Sequence, residues 1–114
     1  MAPRTYKCPI CGYKGLEEAP YAGGKTNLGV LCYSSFEICA CCGVEFGVQD
    51  YDYGEEFGLN DYSAIAAGLR ERWIVDGCRW RHRKPPSDWS PEAQLRSVMG
   101  KSEFEKLADK IKRR

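Results

Sequence analysis

Two copies of one cysteine spacing constrain this chain more than any other feature: Cys8-Pro9-Ile10-Cys11-Gly12 and Cys39-Ala40-Cys41-Cys42-Gly43. Two thiolates set two residues apart can converge on a single ion about 2.3 Å away. The glycine after each pair suits a left-handed turn, which an L side chain resists. Such a turn aims backbone N–H groups at the sulfurs and helps carry their charge. Four cysteines without a neighbouring histidine predict a closed tetrahedral four-thiolate site on Cys8, Cys11, Cys39 and Cys42. Cys41 is left out, because Cys39 and Cys41 are too tightly spaced and Cys41 and Cys42 point apart. Zinc is the expected ion and its role structural, since Zn²⁺ has no redox chemistry.

The totals agree with a metal-built domain. The chain has 114 residues, seven of them cysteine. A unit of this size buries little apolar surface and gains from a metal. The start MAPRTYK lacks an apolar leader, and no run of about 18 apolar residues is present. Both point to a reduced, cytoplasmic setting with no membrane contact. Cys32, Cys41 and Cys78 read as buried fillers or free thiols. A net charge of +1 conceals a division: residues 1–61 hold four Lys/Arg against nine Asp/Glu, and the rest hold thirteen against seven.

The pattern along the chain predicts an α+β fold. Residues 1–58 read as a zinc-ribbon-like β unit, in which both arms run strand, cysteine turn, strand. Residues 17–35 between them read as a loop with a short hairpin. Residues 59–114 read as a helical extension of two to three short helices, packed with the first unit as one compact domain. Ile65, Leu69 and Trp73, beside Ala66 and Ile74, mark the apolar face of a helix. Asp61 is its expected N-cap and Gly77 its C′ residue. Ser90 and Pro91 open a second helix that Gly100 stops. Ser102 and Glu105 have capping-box spacing for a third, with Phe104, Leu107 and Ile111 as its stripe.

Other signals are weaker. Residues 19–26, "APYAGGKT", fit a loose phosphate-loop pattern but lack a following helix start, so no nucleotide is expected. Asp50, Asp52, Glu55, Glu56 and Asp61 read as a solvated acidic loop without EF-hand spacing. Arg70, Arg72, Arg79, Arg81, Arg83 and Lys84 surround Trp73 and Trp80, a combination able to bind a protein partner or nucleic acid. Trp73 is assigned to the core by its helical register, and Trp80 and Trp89 to clamping the proline-containing linker. His82, the single histidine, has no carboxylate or nucleophile beside it in sequence. No catalytic set is visible, and no enzymatic activity is expected.

"CPICGYKGLEEAPY" with "FEICACCGVEFGVQD" resembles the bacterial cysteine-rich CPCC family, Ala40 standing where proline is usual. The likeness covers about residues 6–99 and implies a zinc-ribbon-like element with ligands at Cys8, Cys11, Cys39 and Cys42. "YKCPICGY" is also similar to the first knuckle of rubredoxins, which implies iron and electron transfer as an alternative. The expected function is a small zinc-binding protein that acts as an interaction module for a protein partner. A nucleic-acid binder is the other alternative. Chelation is expected to unfold the N-terminal half.

Overall fold

The computed structural model describes residues 5–20 and 35–112. Cys32 and all but two residues of the phosphate-loop-like stretch lie outside the described residues, as does most of the loop expected over residues 17–35. Four helices follow the second cysteine turn: α1 (Gln49–Phe57), α2 (Tyr62–Val75), α3 (Pro91–Leu95) and α4 (Lys101–Lys112).

The expected α+β architecture with a zinc-ribbon-like β unit is not what forms. Among the described residues there is no strand and no sheet. Extended pairing is confined to two single bridges, Tyr6 with Leu16 and Ile38 with Glu45. The cause is local. In the second arm, Phe36 at φ 61° and Gly47 at φ 94° bend the backbone on either side of the bridge. In the first arm, the Glu17 and Glu18 amides donate to the Glu37 carboxylate at 2.9 and 3.1 Å. Those are the donors a growing ladder would need from a neighbouring strand.

The acidic stretch is also corrected, from loop to helix α1. Its first turn carries Asp50 and Asp52, where the helix dipole favours negative charge. Asp50 is buried, and its Oδ1 accepts the N–H groups of Gly47 (2.7 Å) and Tyr51 (2.9 Å). Gly58, left-handed at φ 67°, closes the helix. Asp52, Glu55 and Glu56 remain exposed. Tyr53 lies against Gly68 of α2, where an added Cβ would collide with the tyrosine ring.

α2 forms as its periodicity predicts. Asp61 caps it by accepting the Ser63 N–H at 3.1 Å. At its end, Gly77 N–H bonds Ile74 O and Cys78 N–H bonds Trp73 O, both at 3.0 Å, with Gly77 at φ 101°. This is the paired-bond left-handed stop that a C′ glycine permits. Ser90 caps α3 ahead of Pro91, as expected. α4 differs at its start: it begins at Lys101, and the Gly100 carbonyl accepts the Phe104 N–H at 2.9 Å. Ser102 is therefore already inside the helix, and its capping box with Glu105 is not the entry.

One core joins these parts. The four cysteines of the two pairs, Ile10, Leu16 and Phe46 are buried in one cluster with Ile65, Trp73, Leu95, Phe104 and Ile111. No helix among the described residues is long and apolar enough to cross a membrane.

Candidate metal centre

Both cysteine turns have the same hydrogen bonds. Gly12 N–H donates to Cys8 O (3.0 Å) and Gly43 N–H to Cys39 O (2.9 Å). Cys8 N–H donates to Tyr13 O (2.6 Å) and Cys39 N–H to Val44 O (3.0 Å). Gly12 and Gly43 are left-handed, at φ 90° and 80°. The duplicated spacing thus builds two equivalent knuckles, although the sheet expected around them is absent from the described residues.

The knuckles face each other. The Sγ atoms of Cys8, Cys11, Cys39 and Cys42 all lie within 4.8 Å of one another, and all four residues are buried. Across the knuckles, Cys8 and Cys42 sulfurs are 3.9 Å apart, and those of Cys11 and Cys39 are 3.7 Å apart. A regular tetrahedron of sulfurs about 2.3 Å from a central ion has edges of about 3.8 Å. A disulfide would need about 2.05 Å, and these cysteines are free. The donor set and its spacing therefore fit a metal ion. Among the described residues this is the one cluster of metal-ligating side chains so placed.

The electrostatics fit as well. Burial pushes the Cys11 thiol far up, and hydrogen bonds with Cys39, Cys41, Cys42 and Cys8 add to the shift. Cys39 is driven the opposite way by hydrogen bonds from Cys11, Cys42 and Cys8, with help from the Cys42 backbone N–H. Several buried thiolates require a cation, whose binding releases the protons.

Three elements hold the first knuckle from outside. The buried Arg70 of α2 donates from Nη2 to Pro9 O (2.8 Å) and from Nε to Ile10 O (2.7 Å). Its Nη1 meets both Glu103 oxygens of α4 at 2.9 and 2.7 Å. Gln94 of α3 donates to Cys11 O at 2.9 Å. Lys7 Nζ reaches Ser97 O at 2.8 Å. The second knuckle is held by the basic linker, whose Arg81 and His82 amides donate to Cys41 O (3.1 Å) and Ala40 O (3.0 Å).

The predicted basic set divides accordingly. Arg70 is an internal strut, which corrects its place among surface contacts. Arg72 is exposed and lies 4.8 Å over the Tyr53 ring. Arg81 is exposed and paired with Asp76 at 2.7 Å. Arg79, Arg83, Lys84 and His82 are also exposed. Trp73 is in the core, and its indole N–H donates to Arg79 O at 2.9 Å. Trp80 stacks edge-on between Tyr13 (5.5 Å) and Trp89 (5.2 Å), bracketing the linker. Sequence reasoning missed the roles of Arg70, Gln94 and Glu103. For Arg70 a signal existed, since it sits four residues from both Ala66 and Ile74 on the buried face.

Gly12 offers a local test. An added Cβ would collide with the Gln94 carbonyl oxygen and stand 2.8 Å from Ser97 Oγ, on a backbone already at φ 90°. Gly12→Ala is expected to cost at least about 2 kcal/mol. At Gly100 a Cβ would meet nothing within 4 Å, and Gly100→Ala should move stability by less than about 0.5 kcal/mol. Urea unfolding of the two variants checks the contrast.

Beside the centre, a groove of about 760 Å³ runs between the second knuckle and α2. Cys42, Val44, Leu69 and Trp73 line it, with Arg72 and Arg81 also at its walls. Ile38 and Val75, also in its lining, are 60% and 62% exposed, unusually open for large aliphatics.

Over 117 aligned positions the chain is 32% identical to the uncharacterized protein YoaQ of Bacillus subtilis strain 168, an overlap of 99% of this chain and 89% of that protein. It is 36% identical over 81 positions to the uncharacterized protein YozI of the same strain, covering 68% of this chain and 63% of that protein. No family model matches the chain, and no solved structure matches it significantly.

Proposed function

We propose that this chain, which belongs to the family of Bacillus subtilis YoaQ, is a small structural-zinc protein that acts by binding a protein partner. The observation that carries the metal reading is the set of four buried sulfurs within 4.8 Å of one another, two of whose distances, 3.9 and 3.7 Å, match a tetrahedral edge. Four protein sulfurs fill a tetrahedral shell and leave no position for substrate, which is the pattern of structural rather than catalytic zinc. The ion crosslinks the knuckles, and the surface built on them does the recognition.

The groove beside Cys42 supports the partner reading. Its exposed Ile38 and Val75 offer an apolar contact, and Arg72 and Arg81 outnumber the single carboxylate of Asp76 in its lining. That chemistry suits a peptide segment carrying an aliphatic side chain beside an acidic one. The exposed Arg79, Arg83 and Lys84 keep nucleic acid as a rival occupant of the same end of the molecule.

Elemental analysis of natively prepared protein tests the centre: one zinc per chain and a colourless preparation are expected. A red preparation would mean iron and electron transfer, and absence of metal would end the reading. Peptide selection on the zinc-loaded protein tests the groove. Enriched sequences should pair aliphatic and acidic residues, and Ile38→Glu should abolish their binding. Gel-shift affinity for DNA or RNA that falls steeply with salt would favour the nucleic-acid rival instead.

A further inference from the structure

A fifth cysteine sits beside the four. Cys41 is fully buried and adjacent to Cys42 in the chain. Its sulfur is the same chemical donor as its neighbours' and competes for the same ion. That sulfur is not among the four that lie within 4.8 Å of one another, and one side chain is placed to hold it there. Gln94 Nε2 carries two hydrogens and has two partners: Cys41 Sγ at 3.2 Å and Cys11 O at 2.9 Å. Its Oε1 accepts the Trp89 indole N–H at 2.9 Å. Both N–H donors and the carbonyl oxygen thus have partners, which sets the orientation of the amide. The Cys11 bond ties it to the first knuckle, and the Cys41 bond ties it to the second.

We propose that Gln94 is a positioning residue of the metal centre, holding the Cys41 sulfur off the ion so that Cys42 completes a single ligand set. This rests on the metal reading above. An amide N–H is a suitable device, because it satisfies a buried sulfur without offering the ion a competing charge. The indole of Trp89 sets the register of the amide.

Cadmium NMR of the full chain, loaded with cadmium in place of zinc, reads the ligand set directly. Wild type should show one resonance, and Cys41→Ser should leave it in place. Gln94→Leu, of similar size but without donors, should add a second resonance from shells that include Cys41. Its zinc affinity should fall about 10- to 100-fold, the range for groups that orient metal ligands. The double variant Cys41→Ser/Gln94→Leu should return to one resonance, which a merely structural role for Gln94 would not produce. A single unshifted resonance in folded Gln94→Leu, or a second one that survives Cys41→Ser, overturns the proposal. Gln94→Glu, which keeps the acceptor for Trp89 but loses both donors, replaces Gln94→Leu if the latter does not fold. If neither folds, Gln94 is a general support and the selector role is wrong. Wild type that takes up no cadmium would instead bring down the metal reading itself.

Discussion

Stripping the metal from the native protein is expected to unfold the entire domain, helices included. Structural zinc in small domains contributes an apparent 10–16 kcal/mol or so. A domain of this size has about 5–15 kcal/mol in total, so removal takes away an amount comparable to the whole reserve. Sequence alone suggests loss of the N-terminal half. The shared core widens that expectation, because the four cysteines are buried in one cluster with Ile65, Leu95, Phe104 and Ile111. α2 and α4 contribute their stripes to the same cluster. Far-UV circular dichroism after stringent chelation should lose its helical signal, and restoring zinc should recover it. Cys39→Ser should have the same effect without chelator, while Cys41→Ser should keep the metal. A melt unchanged by complete metal removal would refute this.

Arg70→Met is expected to cost about 3–5 kcal/mol, measured by urea unfolding of the zinc-loaded protein. The guanidinium is 7% exposed and its partner Glu103 30%. Removing the cation leaves a partly buried carboxylate and two orphaned carbonyls, Pro9 O and Ile10 O. Arg70→Lys should not rescue it. One ammonium cannot meet two carbonyls and both carboxylate oxygens at once, whereas the planar fork does. Arg70→Met/Glu103→Leu should recover only part of the loss. Replacing the ion pair with apolar groups can be neutral, but each abandoned carbonyl still costs about 1–3 kcal/mol. Full recovery in the double variant would show that the bonds to the knuckle contribute nothing.

The two elements that sequence reasoning misplaced share a cause. Helix α1 carries two aspartates in its first turn and a glycine at Gly54, with no apolar stripe, so it has little intrinsic claim to be a helix. It exists because Gly47 and Gly58 turn the chain at its ends, Asp50 satisfies local amides, and Tyr53 lies against Gly68. The missing sheet is the converse. Alternation around each knuckle was suitable for strands, but Phe36, Gly47 and the Glu37 carboxylate stop both arms at one bridge. In each instance local backbone turns combined with a contact from further along the chain, Tyr53 on Gly68 or Glu37 on the Glu17 and Glu18 amides.

Sequence alone determined the features whose physics is local. A C-x-x-C-G turn is a matter of five residues, and its duplication already specified four sulfurs and two left-handed glycines. The apolar repeat from Ile65 to Trp73 and the caps Asp61, Gly77 and Ser90 specified helices α2 and α3. What brings Cys8 within 3.9 Å of Cys42 is tertiary, as are the arginine that clasps the first knuckle and the glutamine beside the spare thiol. Those depend on residues 34 to 61 positions apart. Their energies arise only when the chain has closed and water has left, and no spacing along the sequence records that.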